Sequence, residues 1–141
     1  MENDPILAHN IRDVVSKVHK HFRKQMNSRG QLSEAEMGVF RVLVSTKETS
    51  PSELCKELNM SSQFMSQVLN RLEDVRYIQR KPSPEDKRKT LVSLTKTGRN
   101  LVQEIYDERE EWLTNILSER FTAEEKKTIS KAMALLIRII D

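Results

Sequence analysis

The sequence predicts a mainly α-helical chain, six helices interrupted once by a small β-hairpin with a basic tip. Three observations predict it. Apolar residues recur in steps of three and four over most of the 141 residues. Breakers are scarce, with 3 Gly and 4 Pro, while 32% of residues are charged and 37% hydrophobic. That balance suits long helices that each bury one stripe. Beyond residue 76 the pattern changes to two β-type runs flanking a stretch rich in Pro, Lys and Arg. The regular apolar spacing excludes an intrinsically disordered chain.

The first helix, over residues 5–27, carries Leu7, Ile11, Val14, Val15, Val18, Phe22 and Met26 on one stripe. Asn27, Ser28, Arg29 and Gly30 break it. Ser33 with Glu36 forms a capping box, with Leu32 and Met37 placed to staple it, and opens a second helix through Phe40 and Leu43 to about Ser45. Ser50-Pro51-Ser52-Glu53 opens a third, with a serine cap and proline at the first helical position. Leu54, Cys55 and Leu58 form its inner face, and Asn59 is a stop that tolerates the left-handed conformation. Ser61 or Ser62 caps a fourth helix whose inner members are Met65, Val68, Leu69 and Leu72.

Residues 77–81 and 90–95 are the hairpin strands, and the loop between them holds Pro82, Pro84 and Lys87-Arg88-Lys89. So long a loop makes an extended wing, not a tight turn. Gly98 punctuates it; a fifth helix covers about 98–118, and a capping box at Thr122 and Glu125 starts a sixth with Ile129, Met133, Leu136, Ile137 and Ile140. Helix, short turn, helix and basic hairpin, in that order, make a winged helix-turn-helix.

Charge sharpens this reading. The chain nets +3, whereas residues 76–99 hold eight Lys/Arg against Glu85 and Asp86, so the remainder is net acidic. Concentrated positive charge is the footprint of a phosphate-binding surface. On the fourth helix Ser62, Gln63, Ser66, Gln67 and Asn70 lie opposite the apolar stripe, as base-edge readers or as a solvated face; Gln and Asn can pair with adenine in bidentate fashion. Arg71 can reach a phosphate or pair with Glu73, Asp74 or Asp86. Lys87 and Lys89 suit phosphate contacts or stay solvated, and Ser50 and Ser52 sit at a helix N-terminus whose N–H groups suit a phosphate.

The chain is one domain by length, with a DNA-binding lobe over residues 32–97 and a helical lobe over 5–27 and 98–141. The outer helices carry stripes that the small lobe cannot cover. They pack on a second copy as a two-fold dimer, or internally in a compact monomer. One cysteine excludes an intramolecular disulfide, and no apolar run approaches the roughly 18–20 residues of a membrane span. The N-terminus lacks a basic-then-apolar leader, so the cytoplasm is the expected compartment. No Gly-rich phosphate loop, metal cluster or nucleophile–base pair is present, so neither an enzyme nor a cofactor is expected. His19 and His21 are two apart and cannot chelate one ion from one helix face.

With these motifs placed, the whole chain resembles the MarR (multiple antibiotic resistance regulator) family. The resemblance rests on Ser50-Pro51-Ser52-Glu53-Leu54, on Val68-Leu69-Asn70-Arg71-Leu72-Glu73, and above all on Asp86-Lys87-Arg88 followed by Leu94-Thr95-Lys96-Thr97-Gly98. It implies a homodimeric regulator, most often a repressor, of double-stranded DNA at pseudo-palindromic operators. It further implies that Arg88 enters the minor groove, that Asp86 orients it, and that a small effector sits in a crevice where His19, Phe22, Met26 and Tyr106 could line the wall or simply pack. Metal-sensing and peroxide-sensing relatives use cysteines that have no match here, which leaves Cys55 as a small buried hydrophobe. The chain departs from the pattern at Arg76, where the family has Gly before the first wing strand. Either the turn differs or a left-handed arginine is tolerated there as a phosphate contact. The rival reading is a winged helix that binds protein and uses its basic wing for solubility.

Overall fold

The computed structural model describes residues 3–26 and 32–141, with only the backbone at Met26. In chain order the elements are α1 (Asp4–Met26), α2 (Glu34–Thr46), β1 (Glu48–Thr49), α3 (Pro51–Leu58), α4 (Ser62–Asp74), β2 (Ile78–Pro82), β3 (Thr90–Leu94), α5 (Lys96–Arg120) and α6 (Ala123–Leu136). A single 3-10 turn, Ile137–Ile139, follows α6. The chain divides into two compact units, residues 1–105 and 106–141, with the division inside α5.

Local capping chemistry sets most of the helix starts. Ser33 accepts the Glu36 N–H while Glu36 reaches back to the Ser33 N–H, and Thr122 and Glu125 do the same for α6. Ser50 caps α3 by accepting the Glu53 N–H, and Ser61 caps α4 by accepting that of Phe64. Asn59 ends α3 in the left-handed conformation, which leaves a turn of three residues before α4.

The first unit holds the core. Val39, Phe40 and Leu43 of α2 meet Leu54 of α3, the inner face of α4 (Met65, Val68, Leu69, Leu72), Ile78 and Val92 of the sheet, and Val102 of α5; all are buried. Each such side chain stabilises the unit by about 1.5–3 kcal/mol relative to exposure. The sheet is antiparallel in the order β1-β3-β2, with Ile78 opposite Leu94 and Pro82 opposite Thr90. Pro82 ends an outer strand, where its missing N–H is harmless. In the second unit α6 buries no residue completely, and Leu135, Ile137, Ile139 and Ile140 are at least half exposed.

Three details differ from the sequence reading. A two-residue strand, β1, pairs with β3 after Lys47 turns the chain at a φ of 67°. The first wing strand runs one residue later than expected, over 78–82. Helix α5 begins at Lys96, so Gly98 lies inside its first turn and is not a breaker. Thr95 sets that start: its hydroxyl accepts the Gly98 N–H at 3.0 Å and donates to the Arg76 carbonyl at 2.6 Å. A Cβ on Gly98 would lie 2.1 Å from the Tyr77 carbonyl oxygen, so glycine is required by close backbone approach.

Arg76 occupies the left-handed region at φ 64°. Its N–H bonds to the Glu73 carbonyl and the Tyr77 N–H to that of Leu72, the two bonds of a Schellman cap. The turn is therefore the glycine turn, built with an arginine. Relieving that strain, Arg76→Gly should raise unfolding stability by about 1 kcal/mol. Urea denaturation checks this, and a lower midpoint for the variant would contradict the strain assignment.

Candidate nucleic-acid interface

The interface is built on the outer face of α4. With Met65, Val68, Leu69 and Leu72 anchored in the core, helical geometry leaves Ser62, Gln63, Ser66, Gln67 and Asn70 exposed together. Their chemistry is that of short hydrogen-bonding groups without net charge, suited to base edges. Arg71 is exposed over half its side chain, yet its guanidinium pairs with Glu36 of α2, whose carboxylate is buried. This partner lies outside the set Glu73, Asp74 and Asp86 that proximity in sequence suggests. Glu36 is 35 residues away, and its burial makes the ion pair costly to break.

The wing is a folded loop. Ser83, buried, accepts the N–H groups of Glu85 and Asp86 through its hydroxyl, and its own N–H bonds to the Lys89 carbonyl at 2.8 Å. Asp86 Oδ1 accepts both the backbone N–H and the Nε of Arg88, at 3.1 and 3.2 Å. These bonds, the side-chain one foremost, hold the Asp86 carboxyl below its ordinary range. Because a depressed carboxylate is lost only as pH falls through its lowered value, the pairing is complete at neutral pH. The Arg88 side chain is 91% exposed at the tip, with Lys87 and Lys89 exposed beside it.

Between the start of α3, the end of α4 and the wing runs an open cleft of about 440 Å³, lined by Pro51, Glu73, Arg80, Lys81, Pro82, Lys87 and Thr90. Ser50, next in the chain to the lining residue Pro51, uses its hydroxyl as a helix cap and holds it 3.1 Å from the exposed Ser52 hydroxyl. Arg76 is exposed at the C-terminal end of α4. In the first unit, then, the structure brings the polar face of α4, the wing tip and a basic cleft onto one lobe.

The residues considered for an effector crevice are dispersed over the two units. His19 is exposed and Phe22 half-buried on α1, Tyr106 is half-buried on α5, and the Met26 side chain lies outside the described residues. Cys55 is half-buried, less enclosed than a core residue. Among the described residues no three His, Cys, Asp or Glu side chains converge as metal ligands, and no helix is long and apolar enough to cross a membrane.

Arg80 escaped the sequence reading. It follows buried Ile78 by two positions on β2, hence on the same strand face, and bonds Glu73 through Nε and Nη2, both at 3.1 Å. The signal was present in that alternation, but its partner could not be read locally.

Two helices joined by a three-residue turn, with a wing packed beside them, define a winged helix-turn-helix fold. Residues 31–89 match the model described as MarR family. That match spans less than half of the chain, which thus resembles the family over its winged-helix segment. It is 30% identical over 103 residues to the uncharacterized HTH-type transcriptional regulator YdgJ of Bacillus subtilis (strain 168), a stretch covering 73% of this chain and 62% of that relative. It is 24% identical over 141 residues to the uncharacterized HTH-type transcriptional regulator ML2140 of Mycobacterium leprae (strain TN), covering 100% and 97%. Among solved structures, wild-type MarR (apo form) from E. coli superposes with a TM-score of 0.73 at 23% identity, over 96% of this chain and 97% of that one.

Proposed function

We propose that the chain is a cytoplasmic homodimer that binds double-stranded DNA sequence-specifically at pseudo-palindromic operators and represses transcription until a small ligand releases it. The observation that carries this reading is the uncharged polar face of α4 set beside a folded wing with Arg88 at its tip. The α4 face enters the major groove, and Arg88 enters the flanking minor groove, where a narrowed A·T tract concentrates negative potential. Gln63, Gln67, Asn70 and the serines supply base contacts; Lys87, Lys89, Arg76, Ser50 and Ser52 supply phosphate contacts. Arg71 serves this surface by anchoring α4 to α2 through Glu36.

Residues 32–97 are then the reading lobe, and residues 5–27 and 98–141 the dimerisation lobe. Val14, Val15, Ile139 and Ile140, all more than half exposed, support this because an isolated chain leaves them in water. By resemblance, a small effector would act through His19, Phe22, Met26 or Tyr106 and favour a dimer with wrongly spaced recognition helices.

The test is a titration of the purified protein against the duplex upstream of its own gene and a scrambled duplex, at several salt concentrations. Tight, steeply salt-dependent binding with roughly a thousandfold preference for the native duplex supports a specific, autoregulating reader. Equal, weak binding to both moves the reading towards a protein-interaction module. Sedimentation in the same buffers tests the dimer, which a monomer at micromolar concentration would exclude.

A further inference from the structure

The recognition face contains one side chain whose hydrogen-bonding sense is already committed. Arg80 Nη2 donates to Asn70 Oδ1 at 2.6 Å, while Arg80 Nε and Nη2 grip the two oxygens of Glu73. Resting on the DNA-binding reading above, we propose that Arg80 turns the Asn70 amide so that its N–H groups lead, and the base facing it presents acceptors, guanine N7 and O6.

A guanidinium only donates, so the Asn70 amide must turn its oxygen to Arg80, which takes up one of that oxygen's two lone pairs and leaves both N–H groups for a further partner. The two-pronged grip of Glu73 fixes the guanidinium plane and with it the amide. Glu73 is held below the ordinary carboxyl range by the same bond, so the clamp is closed at neutral pH. An unrestrained asparagine offers one donor and one acceptor and pairs with adenine N7 and N6; with the oxygen drawn to Arg80 and one of its two lone pairs engaged, that bidentate match is weakened. Guanine carries two adjacent acceptors in the major groove, adenine one beside a donor, and the cytosine edge a donor. Arg80 is thus a positioning residue: three-quarters buried on the wing strand, it sets which base a residue on the recognition helix accepts.

The experiment selects duplexes from a random pool with the full-length protein and four variants, and reads base preference position by position. Asn70→Ala, at an exposed site, should make one position per half-site indifferent. At that position the wild type should favour guanine over adenine by roughly tenfold, the scale of one good base contact. Asn70→Asp keeps a partner for Arg80 but has no N–H, and should exchange the guanine preference for cytosine. Arg80→Met frees the amide and should admit adenine there while other positions keep their preferences; Arg80→Lys, without the planar fork, should do the same in part. A wild-type preference for adenine at that position overturns the proposal, as does an unchanged preference in Asn70→Ala. So does an Arg80→Met variant that weakens all positions equally. If the wild type enriches no sequence, the DNA reading itself fails and this proposal with it; enrichment without these position-specific changes sinks the proposal alone.

Discussion

Arg88→Glu should lower affinity for the best-bound duplex by roughly a hundredfold or more, because the proposed two-fold dimer would lose the contact at both wings. In the proposed complex each wing would exchange a cation facing the minor groove for an anion facing phosphates. The salt dependence should shallow accordingly, by about two in the log–log slope. Stability should stay within about 0.5 kcal/mol of wild type, since the Arg88 side chain is 91% exposed and, among the described residues, bonds only to Asp86 within the same loop. Fluorescence anisotropy over a salt series, with thermal melts alongside, separates the two effects. Unchanged affinity would mean that the wing is solvated surface, and the protein-interaction reading would then lead.

Gly98→Ala should destabilise the first unit by about 3 kcal/mol, the reverse of the usual gain of about 1 kcal/mol for replacing glycine within a helix. The obstacle is backbone: the added Cβ would meet the Tyr77 carbonyl oxygen at 2.1 Å. That carbonyl accepts the Thr95 N–H at 3.0 Å, and the Tyr77 N–H closes the cap of α4, so neither side can give way alone. Asn100→Ala, on the exposed side of the same helix turn, serves as the control and should change stability by less than about 0.5 kcal/mol. A loss below that size in Gly98→Ala would show that the junction between wing and α5 is softer than its geometry implies.

What could be read from the sequence follows the range of the interaction. Capping at Ser33, Ser50 and Thr122 is a contact over three residues, and each shows its partner within one turn. The left-handed stop at Asn59 and the α4 stripe are equally local, which is why the polar face came out intact. The short strand β1 was invisible because two residues carry no periodicity and owe their conformation to Val92 and Ser93, more than forty positions away. The Arg71–Glu36 and Arg80–Asn70 pairs failed for the same reason, since any of several carboxylates or amides satisfies an arginine on paper. Gly98 was seen but misread: glycine signals breakage far more often than close approach. The crevice residues came only by resemblance, and they fall on both units.

Ser83 and Asp86 close the wing loop with their own side chains before anything approaches it. A tip folded in advance has no chain disorder left to lose on contact. Encounter, and not loop ordering, then sets the speed of association, and changes at Ser83 would appear first as slower capture, with the dissociation rate changing little.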